Sequence, residues 1–302
     1  MLKHLSVILS IILLASCMTH NAVDNYDDFV TFQTEESSYY YFDNGGSLIV
    51  YIDGSGLSSV LGKAEDNKFT SYSFAYPLSD FFHRTDSILI PEKPGMSFGG
   101  VHHSDPDVVK LYTVDNIVDS YVASIDNHLA ERQYEEIYII GVSEGGLLIP
   151  KIYTQLKSKN AVSGLVVIGA GGLSQYNCFR IQYDKYPNLH PDYRSQLARL
   201  DEAYDKIMKN PHSTDDGYLG WPYSRWSSFM DYSPIEYIKD IEIPMLYVQG
   251  KNDMSSPVES AEEVAKLNLK NITVEYLENM GHTPQNSEQI NEVFALINNW
   301  RS

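Results

Sequence analysis

Ile137-Tyr138-Ile139-Ile140-Gly141-Val142-Ser143-Glu144-Gly145-Gly146 is an apolar β-type run that breaks into a glycine-flanked serine. The adjoining stretch, residues 147–156, is apolar enough to continue as a helix. A sharp strand-to-helix turn at this point puts Ser143 in a strained backbone conformation and leaves no room for neighbouring side chains, a need that Gly141 and Gly145 meet. Such a turn pushes the serine oxygen out above a sheet. The helix N-terminus behind it favours negative charge there, which makes Ser143 a candidate nucleophile.

Outward from this stretch, short runs rich in Ile, Val, Leu and Tyr recur at residues 87–90, 136–140, 164–169, 244–249 and 272–277. They read as buried strands. Residues 38–42 and 47–52 flank Asp43-Asn44-Gly45-Gly46, a turn signal that predicts an opening antiparallel hairpin. Between the strands, residues 114–129 carry Ile117, Val118, Tyr121, Val122, Ile125 and Leu129 at helical spacing, and residues 258–267 and 288–300 read similarly. Strand and helix therefore alternate, which predicts an α/β fold with a largely parallel sheet covered by helices on both faces. One interval breaks the alternation. Residues 172–241 are too long for a structureless connection, so they should form an inserted unit with helices of its own, for instance over 193–208. No repeat or low-complexity tract interrupts the chain.

The serine stretch and the chain on either side of it resemble the α/β-hydrolase superfamily, in which Gly-x-Ser-Glu-Gly-Gly is a common form among bacterial esterase-like and peptidase-like members. The resemblance runs from about residue 39 to the C-terminus. It implies a mostly parallel sheet flanked by helices, with a helical cap insertion, and an acid placed after a late strand with a histidine after the last one. Tyr247-Val248-Gln249-Gly250-Lys251-Asn252-Asp253 and Asn279-Met280-Gly281-His282 meet both conditions. Their order, Ser143, then Asp253, then His282, is the one expected for this fold. Asp231 and Asp240 are weaker alternatives for the acid, because neither follows a strand of the right kind. Two backbone N–H groups should face the oxygen that becomes negative during attack. One is that of Glu144; the other is assigned to Ser55, because Asp53-Gly54-Ser55-Gly56 resembles the family's His-Gly-x segment with aspartate in place of histidine. Pro91-Glu92-Lys93-Pro94-Gly95-Met96-Ser97 resembles the family's Asp-x-Pro-Gly-x-Gly-x-Ser loop, with Glu92 for aspartate and Ser97 for the second glycine, and is expected to support the serine turn.

The implied activity is cleavage of carboxylic esters or thioesters by a serine hydrolase, with a small ester or short peptide as substrate. A serine aminopeptidase or amidase, binding a substrate amine through Glu144, Asp184, Asp192, Asp201, Glu202 or Asp205, is the enzymatic alternative. A surface-anchored binding protein without activity is the other. No cofactor or metal is called for: His102-His103-Ser104-Asp105-Pro106-Asp107 matches no ligand spacing and reads as a solvated loop, and Gly54-Ser55-Gly56 lacks the third glycine of a dinucleotide fingerprint. The insertion is rich in aromatic residues, among them Tyr176, Phe179, Tyr193, Trp221 and Trp226, which divide between its own packing and the lining of a substrate pocket.

At the N-terminus, Lys3 and His4 precede an apolar run over 5–14 that is too short to span a bilayer comfortably and reads as an export signal. Its end, Leu14-Ala15-Ser16-Cys17, resembles the lipobox of bacterial lipoproteins, with a plain secretory signal or a retained anchor as the alternatives. The resemblance implies a signal peptide over 1–16, lipid chains on Cys17 that hold an exported protein to a membrane of the cell envelope, and a polar tether over 17–37 ahead of a core formed by 38–171 and 242–302. Committing Cys17 to lipid leaves Cys178 alone among the two cysteines, so fold stability must come from packing. The net charge of −18 repels phosphate backbones, which argues against a nucleic-acid partner.

Overall fold

The structure, a computed structural model, describes residues 29–33, 38–61, 74–96 and 106–302. Strands β1 (Val30–Gln33), β2 (Ser38–Phe42), β3 (Ser47–Ile52), β4 (Asp86–Pro91), β5 (Glu136–Val142) and β6 (Gly164–Ile168) precede the insertion. Helices α1 (Ala75–Phe82), α2 (Pro106–Leu111), α3 (Val114–Glu131) and α4 (Glu144–Gln155) lie between them. The insertion carries α5 (Gln175–Lys185), α6 (Pro191–Leu197), α7 (Leu200–Lys209), a ribbon of β7 (Gly217–Tyr218) and β8 (Trp221–Pro222), α8 (Tyr223–Phe229) and α9 (Ile235–Ile238). Then come β9 (Met245–Gly250), α10 (Val258–Ala265), β10 (Ile272–Leu277) and α11 (Ser287–Arg301).

Eight strands form one sheet in the order β1-β2-β4-β3-β5-β6-β9-β10, antiparallel at β1/β2 and β2/β4 and parallel from β4 onward. The core strands alternate between two apolar layers. Leu48, Val50 and Ile52 of β3 and Leu165 and Val167 of β6 face Ile117, Tyr121 and Ile125 of α3 and Ile149 and Ile152 of α4. Ile49, Tyr51, Val166 and Ile168 face the opposite layer, built on Leu78 and Phe82 of α1 and Val293, Phe294 and Ile297 of α11. Burial on both faces is what a parallel sheet requires, and it accounts for the continuous apolar runs.

Three expectations are corrected. Residues 38–42 and 47–52 do not form a hairpin: β4 lies between them, antiparallel to β2 and parallel to β3. Both β3 and β4 are buried, so the backbone N–H and C=O groups along both edges of each must be paired by neighbouring strands, and that demand overrides the local turn signal. The expected tether over 17–37 contains β1, whose Val30 pairs with Tyr41 and whose Phe32 ring stacks on Tyr39 at 4.9 Å. The helix expected over 193–208 is two helices, α6 and α7, separated at Ala198 and Arg199. The signal segment and Cys17 lie outside the described residues, as do 97–105, so of the expected solvated loop only Pro106 and Asp107 are described, at the start of α2. Among the described residues, no helix is long and apolar enough to cross a membrane.

The insertion has an apolar centre of its own, formed by Phe179, Leu197, Leu200, Ile207, Leu219, Trp226 and Met230. Polar contacts dock it on the sheet side: Tyr232 Oη donates to the Leu147 carbonyl at 3.2 Å, and Gln182 Nε2 to the Ser255 carbonyl at 2.7 Å.

Candidate active site

Ser143 closes β5 and opens α4 with φ 56° and ψ −119°, a left-handed conformation that a residue with a Cβ adopts only when its surroundings impose it. Its N–H is held by the Ile168 carbonyl of β6 at 2.8 Å, and its carbonyl accepts from Leu147 of α4 at 2.9 Å. The glycines of the turn are there for space. A Cβ on Gly145 would stand 2.4 Å from the Ile52 and Asp53 carbonyl oxygens, and one on Gly141 would stand 2.8 Å from the Gly145 backbone. The turn therefore presses directly on the loop after β3.

Asp253 and His282 come from the loops after β9 and β10, at the same edge of the sheet as the end of β5, so parallel strands deliver all three residues to one place. His282 Nε2 lies 2.8 Å from Ser143 Oγ, and His282 Nδ1 lies 2.9 Å from Asp253 Oδ2. The Asp253 side chain is fully buried, and a buried carboxylate needs donors on its remaining lone pairs. Oδ1 accepts from the Ser255 and Ser256 amides, each at 2.7 Å, and Oδ2 also accepts from Gln249 Nε2 at 3.0 Å. Tyr186 of the insertion donates to the Asp253 carbonyl at 3.1 Å. The alternatives are elsewhere: Asp231 accepts from Tyr204 Oη, and Asp240 is exposed.

Of the two amides assigned to the oxyanion, that of Glu144 is the first in α4, and the opening N–H groups of a helix have no intrahelical acceptor. Ser55 sits exposed at the tip of its loop. The loop touches the serine on one side, where a Cβ on Gly54 would lie 3.5 Å from Ser143 Cβ. On the other side, the Gly56 N–H donates to Tyr112 Oη at 3.0 Å. Asp53 accepts from Tyr51 Oη at 2.8 Å and Lys93 Nζ at 3.1 Å.

Residues 91–96 hold this loop and its continuation, and their support reaches the serine turn through Asp53. Besides the Lys93 contact, the buried Glu92 accepts from Tyr40 Oη and Ser59 Oγ, each at 2.6 Å, and from the Val60 amide. Burial pushes the Glu92 carboxyl above its usual range, opposed by these donors. Ser97 lies outside the described residues.

The Glu144 side chain is buried and fully engaged. Tyr112 Oη donates to its Oε1 at 2.6 Å, and Arg225 Nη2 of α8 to its Oε2 at 2.5 Å. Burial first, then the adjacent Glu144 charge, raises the Tyr112 phenol well above its usual range, so it stays a neutral hydroxyl. The Arg225 side chain is only 2% exposed, with its guanidinium 4.4 Å from the Trp226 ring centre and 4.3 Å from that of Phe229. Asp184, Asp192, Asp201, Glu202 and Asp205 are all exposed on the insertion, where Asp201 accepts from Tyr176 and Glu202 pairs with Arg199. Tyr112, Arg225, Gln249 and Tyr186 carry no local motif and are reached only through the folded chain. Cys178 is a buried free thiol pushed up to about 12 by burial, which makes it unreactive. Among the described residues, no cluster of His, Cys, Asp and Glu could hold a metal ion.

No known family model matches the sequence, and no curated protein matches it. Solved structures do match. The chain is similar to VinJ, with a TM-score of 0.60 and 16% identity over 90% of this chain and 97% of that one. It is similar to a proline iminopeptidase of Mycobacterium smegmatis at a TM-score of 0.59 and 14% identity, covering 90% and 97% of the two chains. It is also similar to an esterase of Exiguobacterium antarcticum at 0.55 and 15%, covering 88% and 96%. Together with the sheet order, the flanking helices and the three loops that converge at one sheet edge, these likenesses establish that the chain has the α/β-hydrolase fold.

Proposed function

We propose that the protein is a serine hydrolase that cleaves carboxylic esters or thioesters through an acyl-enzyme on Ser143. The observation that carries this reading is the unbroken line from Ser143 Oγ through the two nitrogens of His282 to the buried Asp253 carboxylate. In this reading His282 takes the Ser143 proton as the hydroxyl attacks the substrate carbonyl, and returns it to the departing alcohol or thiol. It then takes a proton from water as the water attacks the acyl carbonyl, and passes that proton to Ser143 Oγ as the acyl bond breaks, which restores the free serine. Asp253 fixes the imidazole tautomer and stabilises its protonated form, and the Glu144 and Ser55 amides receive the oxyanion.

Ester cleavage is preferred to aminopeptidase action because the carboxylate best placed to receive a substrate amine, that of Glu144, already has its charge paired with Arg225 and its other oxygen hydrogen-bonded by Tyr112. Turnover of a nitrophenyl ester compared with that of an aminoacyl anilide tests the choice, and faster turnover of the anilide would reverse it. Ser143→Ala and His282→Ala should each lower ester turnover by roughly 10³-fold or more while leaving thermal unfolding unchanged. Labelling by a fluorophosphonate should disappear in Ser143→Ala. A folded Ser143→Ala variant with undiminished turnover overturns the assignment. A wild-type chain with neither turnover nor labelling is the outcome expected of the binding protein.

We propose separately, on the resemblance of Leu14-Ala15-Ser16-Cys17 to a lipobox, that the protein is exported and held to a membrane by lipid on Cys17, with each buried methylene adding about 0.8 kcal/mol of anchoring. Cys17→Ser should release it from the membrane fraction without altering the turnover of the purified enzyme.

A further inference from the structure

Cap and reaction centre meet at one buried phenol. The Tyr112 hydroxyl accepts the Gly56 N–H at 3.0 Å and gives its own proton to Glu144 Oε1 at 2.6 Å, so its single proton and an acceptor site are both committed. Each partner lies one residue from a reacting group: Gly56 comes directly after Ser55, and Glu144 directly after Ser143. The other face of the same residue belongs to the insertion. The Tyr112 ring stacks on Trp221 of β8 at 4.9 Å between centres, with the planes 18° apart. Beyond Glu144 the chain of contacts continues to Arg225 of α8, which also reaches Gln175 of α5 at 3.4 Å.

We propose that Tyr112 is a positioning residue for the oxyanion-binding loop, and that Arg225 and Trp221 make its grip depend on the docked insertion. The inference rests on the serine-hydrolase reading above. Asp53 is held by Tyr51 and Lys93, with its carbonyl against Gly145 of the serine turn, and Gly56 is held by the Tyr112 hydroxyl, which leaves the amide of the exposed Ser55 between two fixed points. Without the hydroxyl the Gly56 end is free, and the peptide planes of the loop can rotate away from the oxygen they should face. Misplacing such a donor weakens only the charged, tetrahedral state and not the bound ester, so the loss belongs to turnover. Arg225 acts one step further back, since the charge it neutralises is the acceptor that orients the Tyr112 proton.

The test uses the whole enzyme with Tyr112→Phe, which keeps the ring and its stack on Trp221 and removes only the hydroxyl. The expected result is a fall in kcat on a nitrophenyl ester of about 10- to 100-fold with KM changed less than about 2-fold. Affinity for a trifluoromethyl ketone with the same acyl group, which forms an oxyanion adduct on the serine, should fall by the same factor. Amide exchange at Gly56 should accelerate. Arg225→Met should give a smaller loss of the same kind, and the double variant should be no slower than Tyr112→Phe, because the two act through one path. A folded Tyr112→Phe variant with wild-type kcat and ketone affinity overturns the proposal while ester cleavage by Ser143 stands, as does a loss confined to KM or to thermal stability. If the wild type shows no Ser143-dependent turnover, the function reading fails, and the positioning role falls with it.

Discussion

At the level of single residues, the buried Asp253 is held in one orientation by its donors. The Ser255 and Ser256 amides both bond Oδ1, and a backbone N–H can only donate, so that position must remain an acceptor. In Asp253→Asn the amide oxygen therefore stays at Oδ1, and the NH₂ group takes the place of Oδ2, facing His282 Nδ1 and Gln249 Nε2. Two donors then confront each other at Gln249, and the imidazole is driven to the tautomer that carries its proton on Nε2, toward Ser143, where it cannot act as a base. We expect kcat on the ester to fall roughly 10³- to 10⁴-fold, with KM little changed and the variant still folded. Measuring both constants with a nitrophenyl ester checks this. Gln249→Met, which removes the opposing donor, should not restore activity, because the tautomer remains wrong. Ser143, Asp253 and His282 were legible from sequence because each comes after an apolar strand run at a position marked by glycine or a polar turn. Tyr112, Arg225 and Gln249 were not, since a hydrogen-bond partner many residues away leaves no pattern along the chain.

Among the elements, the strands and long helices could be read because burial on both faces forces continuous apolar runs and burial on one face forces helical spacing. Strand neighbours could not. The Asp43-Asn44-Gly45-Gly46 turn reads locally as a hairpin, yet β4 takes the place between β2 and β3, a choice made by which strands must be fully covered and not by the turn. Short β1 leaves no mark in the sequence, because four residues offer too little alternation. Helix α3 carries a consequence for pH. His128, near its end, is buried between the Tyr39 and Tyr41 rings, and its Nε2 lies 2.7 Å from Tyr134 Oη. The Tyr134 proton goes on to Tyr41 Oη at 2.9 Å, so the histidine is the donor to Tyr134. Burial first, then the nearby Arg132 charge, lowers its pKa from 6.5 to about 4. An unfolded chain thus binds a proton between these values that the folded chain refuses. The stabilisation is complete above pH 6.5 and is lost as pH falls toward about 4, amounting to roughly 1–3 kcal/mol. In His128→Gln the decline of urea-unfolding stability across that window should be shallower by this amount. An unchanged slope would place the acid sensitivity elsewhere.

For the molecule as a whole, two apolar layers around the sheet and a third centre inside the insertion are separately packed units, and polar contacts such as Arg225–Glu144 bridge the seam between them beside Ser143. Those contacts also decide the field in the seam. The buried Lys93 and Arg225 are each paired with a carboxylate, Lys93 with Asp53 and Arg225 with Glu144, so they add no net positive charge to offset the surroundings. What remains is the field of a chain carrying −18. Unpaired surface charge acts over about 30 Å at 0.01 M salt and about 10 Å at 0.1 M, so an anionic substrate approaches against a barrier that salt removes. We therefore expect kcat/KM for an aryl hemisuccinate, which carries a free carboxylate, to rise several-fold as salt increases from 0.01 to 0.3 M. For the uncharged aryl butyrate of similar size it should change less than about 2-fold, and for a cationic choline-type ester it should fall. The contrast lies in substrate charge alone, so an effect of salt on the fold would move all three together. If the hemisuccinate instead slows as salt rises, a cation from some other part of the chain dominates the cleft, and the pairing of Lys93 and Arg225 is not what sets its potential.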